Sequence, residues 1–268
     1  MAALERAVVE HNELLALRRE LDIASDIQRS FLPRTFPDPA AGGGFALHAA
    51  MVPAKEVGGD FYDFFSLDGD RLAVVIGDVS GKGVPAALYG AFAGELVRSR
   101  TIRRRYSRDH AGPAAMLASI NSVLYERQLE EYYCTLLYSV FDFKHRTVTL
   151  ANAALPYPVR KRADGLPATQ IELPGVPLGS FPGSTYDEIV LDLRPGDVFV
   201  FCSDGVTEAQ DAHFNEFGAD RLLAIVDRLY DQPAQAIVDA IFEEVHAFRG
   251  ECPPNDDTTA VVVRVAAI

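Results

Sequence analysis

Apolar and polar positions along the chain repeat with two periods, and each period predicts its own kind of element. Within residues 4–31, Leu14, Leu17, Leu21, Ala24, Gln28 and Phe31 recur alternately three and four residues apart, which lines up one face of a helix. The stripe is shorter than the ~3–4 heptads of a sustained coiled coil. It fits a dimer seam, and it fits equally a helix packed on its own domain through Ile23, Ile27 and Phe31. Leu32-Pro33 ends it, because the residue before a proline is pushed out of helical backbone. After a Pro/Gly-rich connector at residues 37–44, apolar residues alternate or run continuously over 45–52, 60–67, 71–79, 132–141, 147–153, 169–173, 188–193, 198–202 and 259–265, as strands do. The turn pairs Asp68-Gly69, Asp164-Gly165 and Pro195-Gly196 join several of these as hairpins. Helical patterns come in two pairs, 85–100 with 113–127 and 219–230 with 233–248. The whole predicts an α+β fold in which antiparallel sheets are covered by paired helices. No internal repeat or low-complexity tract interrupts it.

Aspartates stand at the ends of several strands. In VGGDFYDFF, alternation puts Asp60 and Tyr62 on one face and Asp63 on the other. In RLAVVIGDV, Leu72, Val74, Ile76 and Asp78 share a face, and in DVFVFCSDGVTEA, Val198, Val200, Cys202 and Asp204 fall in line. Asp256 and Asp257, in PNDDTTAVVV, come just before the last strand. Taken singly, an aspartate beside a glycine makes a turn, as at Asp68-Gly69. Taken together, acids that close strands with apolar faces would repel one another unless cations sat among them. Oxygen donors without His or Cys select a hard ion such as Mg²⁺ or Mn²⁺. Four carboxylates balance two divalent ions, so a two-metal hydrolytic centre is expected.

Charge and composition remove other classes. The 25 Lys+Arg against 38 Asp+Glu leave −13, which argues against nucleic acid as a partner. The basic runs at 98–105 and 160–162 then read as solvated surface. Cys134, Cys202 and Cys252 are too scattered for a disulfide framework or a zinc site and fit a reducing cytoplasm. No apolar run approaches the ~18 residues of a membrane helix, and the N-terminus lacks a signal-peptide core, so no membrane association is expected. GDVSGKG is one residue short of a nucleotide-binding P-loop, and Gly83 replaces its hydroxyl. Gly81 and Gly83 are expected instead to turn the backbone tightly beside the ions, with Pro85 opening the next helix.

IQRSFLP, VGGDFYD, GDVSGKGVPAAL, NAALPYP, VPLG, PGDVFVFCSDGVTEA, FNEFGADRL and NDDTTAVVVRV, in that order over about residues 25–266, resemble the metal-dependent type-2C serine/threonine phosphatases of the RsbU/SpoIIE branch. The resemblance implies a central antiparallel β-sandwich flanked by helix pairs, a four-layer α/β/β/α arrangement. It also implies a dinuclear Mn²⁺/Mg²⁺ centre and hydrolysis of phosphoserine or phosphothreonine by direct attack of metal-bound hydroxide, with no nucleophilic Ser or Cys. The substrate in this branch is usually a phosphorylated anti-sigma-factor antagonist, a STAS-domain protein in a partner-switching pathway.

Carried over by position, Asp60 resembles the bridging ligand, Asp78 a ligand beside the carbonyl of Val79, and Asp204 and Asp256 the remaining ligands, with Asp257 in the companion position. Lys82 and Lys55 are either contacts to substrate phosphate or solvated lysines. One motif departs: relatives read Asn-Ala-Gly-His-x-Pro where this chain has Asn152, Ala153, Ala154, Leu155 and Pro156. Leu155 therefore replaces a histidine outside the carried-over ligand set, which bears on substrate fit or regulation.

Residues 1–33 are expected to form a helical segment for regulation or homodimerisation, and 34–268 the phosphatase domain. So short a leading segment is below the ~50 residues of a domain, so no sensor domain is expected in it. The alternative function is a catalytically silent module that docks the same antagonist or dimerises as a scaffold. Retention of mutually repelling carboxylates argues against it.

Overall fold

The computed structural model describes residues 2–37, 44–105, 112–127 and 132–266. Residues 38–43, most of the expected connector, lie outside them. Two five-stranded sheets form, each antiparallel throughout. The first has the order β1 (Phe45–Val52), β10 (Thr258–Val265), β9 (Val198–Cys202), β6 (Val159–Lys161), β7 (Thr169–Gln170). The second runs β2 (Phe61–Ser66), β3 (Arg71–Val79), β4 (Cys134–Asp142), β5 (Thr147–Ala153), β8 (Glu188–Asp192).

The central strands are apolar on both faces because both faces are covered. Leu72, Val74 and Ile76 of β3 and Phe141 of β4 meet Phe199, Phe201, Val261 and Val263 of the other sheet. Phe141 stands edge-on to Phe199 at 5.4 Å, a favoured aromatic geometry. The alternate residues Ala73 and Val75 face Ala93 and Val97 of α2 (Val84–Arg105) and Met116, Leu117 and Ile120 of α3 (Pro113–Glu126). On the opposite side, Val198, Val200 and Val262 pack on α5 (Gly218–Leu229) and α6 (Ala234–Arg249). Each fully buried large side chain contributes about 1.5–3 kcal/mol. The expected four layers, helix pair, sheet, sheet, helix pair, are present. A single helical turn, α4 (Asp204–Thr207), follows β9.

The structure corrects several expectations. Asp68-Gly69 joins the β2–β3 hairpin and Asp164-Gly165 the β6–β7 hairpin, but Pro195-Gly196 carries the chain from β8 in one sheet to β9 in the other. That crossing is held by fully buried Asp197, whose carboxylate accepts the N–H groups of Arg194 and Ala163 at 3.2 and 3.1 Å. The run at 160–162 is not solvated surface either. Arg160 and Lys161 are buried in β6 and pair with Asp197 and Asp227, each at 2.7 Å, so their charges are compensated.

The N-terminal helix α1 (Ala2–Phe31) forms as expected. Ile23, Ile27 and Phe31 leave most of their surface bare, at 59, 51 and 57% exposed, and Leu14 and Leu17 are exposed as well, though Phe31 lines a cavity beside Phe61 and Gly94. Leu21, Ala24 and Gln28 are half-buried.

Candidate metal centre

Register brings the acids together at one end of the sandwich. β2 and β3 pair Phe61 with Gly77, so one step further Asp60 falls opposite Asp78. In the facing sheet, β9 and β10 pair Cys202 with Ala260, and Ser203 N–H then bonds the Thr259 carbonyl at 3.0 Å, which leaves Asp204 and Asp256-Asp257 at the same end. Thr259 Oγ1 donates across to Asp60 Oδ2 at 2.5 Å and ties the two sheets at the site.

Alternation fails at Asp204. Val198, Val200 and Cys202 face α5 and α6, but the chain leaves the strand at Ser203 and turns helical at Asp204. That turn sets Asp204 against Asp78 and Asp256, whose charges it feels. Asp63 does point away from Asp60's side, to Arg98 of α2 at 2.7 Å.

Asp257 spends both oxygens on backbone. Oδ1 accepts Ala54 N–H at 2.7 Å and Oδ2 accepts Gly59 N–H at 2.6 Å, so it clasps the loop that carries Asp60. Glycine is required for this approach: a Cβ on Gly58 would stand 2.2 Å from Asp257 Oδ2, and one on Gly205 would stand 1.9 Å from the Asp257 carbonyl oxygen. A Cβ on Gly59 would come within 2.6 Å of the Val79 carbonyl oxygen, so Gly59 keeps that oxygen open. Gly81 and Gly83 both adopt positive φ, 90° and 75°, the tight turn expected beside the site.

The electrostatics are those of acids gathered away from water. Burial foremost, then the charge of Asp78, pushes Asp60 well above the usual carboxylate range, opposed by the hydroxyls of Thr259 and Ser203. Asp78 is pushed up to about 7 by burial and then by Asp204. Asp204 is raised to about 6 by burial and then by Asp256 and Glu208. Asp257 is raised by burial, against the pull of its two backbone donors. Among the described residues one cation pairs with the group: Lys82 Nζ lies 3.2 Å from Asp256 Oδ2 and also bonds the Asn255 carbonyl. The Lys55 side chain passes near Gly83.

The donor set fits hard divalent ions. Asp60 Oδ1 and Asp204 Oδ1 are buried without a hydrogen-bond partner among the described residues, a costly state unless something binds them. Every donor is oxygen, as Mg²⁺ and Mn²⁺ prefer. Among the described residues no group of three or more His, Cys, Asp or Glu side chains is placed so that together they could hold a metal ion.

Leu155 is not at the centre. It is buried between the sheets, and Asn152 grips its N–H and carbonyl at 3.1 and 2.8 Å. Ala154, just before it, takes a φ of 63°.

Two contributors escaped the sequence reading. Thr259 appeared only as the start of a strand. Gln28 appeared as one polar member of an apolar stripe, and that misfit was its signal: its side-chain amide donates to the Gly58 carbonyl at 2.5 Å and accepts Gly58 N–H at 3.1 Å, two residues before Asp60.

Comparison with known proteins gives the family and the fold. Residues 68–266 match the family model described as stage II sporulation protein E (SpoIIE). Protein IcfG of Synechocystis sp. is 28% identical over 92% of this chain. The phosphoserine phosphatase RsbU of Bacillus subtilis is 26% identical over 96% of it. The chain spans 41% of the length of IcfG and 75% of that of RsbU. Among solved structures, the SiaA-PP2C domain of Pseudomonas aeruginosa superposes with a TM-score of 0.78 at 25% identity, covering 94% of this chain and 98% of that one. The PP2C phosphatase domain of SpoIIE from Bacillus subtilis gives 0.72 at 24% identity, over 83% of this chain and 62% of that one, a likeness of fold.

Proposed function

The chain belongs to the SpoIIE family, in the RsbU/SpoIIE branch of type-2C phosphatases, and from that premise we propose that it hydrolyses phosphoserine or phosphothreonine on a protein substrate. The observation that carries this reading is the acidic cluster at the end of the sandwich, with Asp60 Oδ1 and Asp204 Oδ1 buried and unpartnered among the described residues. Asp60, Asp78, Asp204 and Asp256 would hold two divalent ions, Mn²⁺ or Mg²⁺, with the Val79 carbonyl as a further oxygen donor. When bound, the ions would supply positive charge for the phosphoryl oxygens and a water of lowered pKa.

The rest of the work falls to the chain itself. Asp257, with both oxygens engaged by backbone N–H groups, acts as a clasp on the Asp60 loop rather than as a direct ligand. Lys82 restrains Asp256 through their ion pair, which favours that role over contact with substrate phosphate.

The net charge of −13 favours a protein held by a shaped surface over a nucleic acid. The branch suggests a phosphorylated STAS-domain antagonist of an anti-sigma factor, and the cytoplasm as the setting. Among the described residues no helix is long and apolar enough to cross a membrane. We further infer that residues 1–33 serve as a dimerisation and control segment for a phosphatase domain at 34–268. The exposed Leu14, Leu17 and Phe31 of its stripe support self-association, and the paired Gln28–Gly58 hydrogen bonds give it a mechanical hold beside Asp60.

Turnover of p-nitrophenyl phosphate with and without Mn²⁺ tests the activity. Strong Mn²⁺ dependence in wild type, lost in Asp204→Asn with the fold intact by circular dichroism, is the expected result. No turnover by well-folded, Mn²⁺-loaded wild type, on this substrate or on a phosphorylated STAS protein, would favour the silent docking module instead.

A further inference from the structure

The two oxygens of Asp60 live in different surroundings. Oδ2 accepts the 2.5 Å hydrogen bond from Thr259 Oγ1, while Oδ1 has no hydrogen-bond partner among the described residues. The donor is itself immobilised. Thr259 is fully buried, its N–H donates to Ser203 Oγ at 3.0 Å, and its carbonyl accepts Ser203 N–H at 3.0 Å. Ser203 Oγ in turn donates to the carbonyl of Asp257 at 3.3 Å. Thr259 lies on the inward face of β10, in step with core residues Val261 and Val263, so its bond reaches from one sheet to the other.

At those neighbouring inward positions valine suffices. At 259 a valine would keep the branched shape and strand preference but would remove the cross-sheet bond to Oδ2 and leave the Ser203 hydroxyl to oppose the shift of Asp60 alone. A carboxylate free to rotate presents either oxygen, whereas one held at Oδ2 from the opposite sheet presents Oδ1 in one direction.

We propose that Thr259 is a positioning residue that locks Asp60 so that Oδ1 is presented to the ion. This rests on the reading of Asp60 as a metal ligand. The role belongs to the hydroxyl and not to the bulk of the side chain, so it separates cleanly from packing.

Calorimetric titration of the full chain with Mn²⁺, on wild type, Thr259→Val, Thr259→Ser and Asp60→Asn, tests it, with kcat on p-nitrophenyl phosphate measured at saturating Mn²⁺. Thr259→Val should raise the Mn²⁺ Kd about 10- to 100-fold, the usual effect of losing a partner behind a metal ligand, while kcat at saturation falls much less. Thr259→Ser should bind nearly as wild type does. Unchanged Kd in Thr259→Val beside lost binding in Asp60→Asn would overturn the positioning role alone, even if the variant melts lower, since the hydroxyl would then only satisfy a buried acid. Unchanged Kd in Asp60→Asn would overturn the ligand reading beneath it. Should Thr259→Val not fold, Thr259→Ser against Thr259→Ala makes the same comparison, because the two share the lost methyl and differ in the hydroxyl.

Discussion

Removing a buried acid from the centre should stabilise the metal-free protein. Asp78 is held at about 7 against an ordinary carboxylate value of 3.8, a rise of about three units, or about 4 kcal/mol at about 1.36 kcal/mol per unit. The sign follows from proton counting. Between pH ~4 and ~7 the folded chain keeps a proton on Asp78 that the unfolded chain has lost, so stability falls as pH rises and the full penalty is present above ~7. Asp78→Asn removes the penalty without removing the shape. In EDTA at pH 8 the variant should therefore be more stable than wild type by up to about 4 kcal/mol, which at about 2–4 °C per kcal/mol is a Tm higher by roughly 10 °C. At pH 4 the two should nearly coincide. Added Mn²⁺ should raise the Tm of wild type and leave the variant almost unmoved. Thermal unfolding followed by circular dichroism at pH 4, 6 and 8, with EDTA or Mn²⁺, supplies all these values. A variant that melts below wild type at pH 8 in EDTA, or a difference that does not change with pH, would refute the picture of acids crowded against one another.

Two further outcomes are expected. Leu17→Asp with Leu21→Asp should convert a dimer to a monomer in light scattering coupled to gel filtration and change kcat while the Mn²⁺ Kd stays put; a wild-type monomer at high micromolar concentration would end the self-association idea. Ala154→Gly should raise stability by about 0.5–1 kcal/mol in urea unfolding, because the left-handed φ of 63° costs a side-chain-bearing residue about 1–2 kcal/mol, partly offset by glycine's extra unfolded freedom; a loss of stability would mean that the neighbourhood uses that methyl.

Strands that are apolar on at least one face were plain in the sequence. β1, β3, β5 and β9 run over the expected residues, since each is a continuous or alternating apolar run closed by a turn former. β6 was hidden because Arg160 and Lys161 look solvated until Asp197 and Asp227, far along the chain, arrive to neutralise them. The same distance effect misled at Pro195-Gly196, where a good turn pair says nothing about which sheet the next strand joins.

The acidic site was legible as a set because four carboxylates at strand ends need a common explanation. Its supports were not. Nothing local marks Thr259 as the donor to Asp60, or Gln28 as the clamp on Gly58, because each acts across the fold on a residue about 200 or 30 positions away. Leu155, read as a change outside the ligand set that bears on substrate fit or regulation, is a core residue, since only the packed sandwich reveals which way that turn faces.

That Asp60, Asp78, Asp204 and Asp256 hold the ions on which hydrolysis depends is tested most directly by anomalous X-ray scattering at the manganese edge from crystals grown with Mn²⁺. Two peaks are expected at the end of the sandwich, at about 2.1 Å from carboxylate oxygens, the distance a small hard ion demands, with Asp60 Oδ1 and Asp204 Oδ1 among them. Mn²⁺-dependent turnover in solution with no peak at those four residues, or with the ions bound elsewhere, would contradict the assignment.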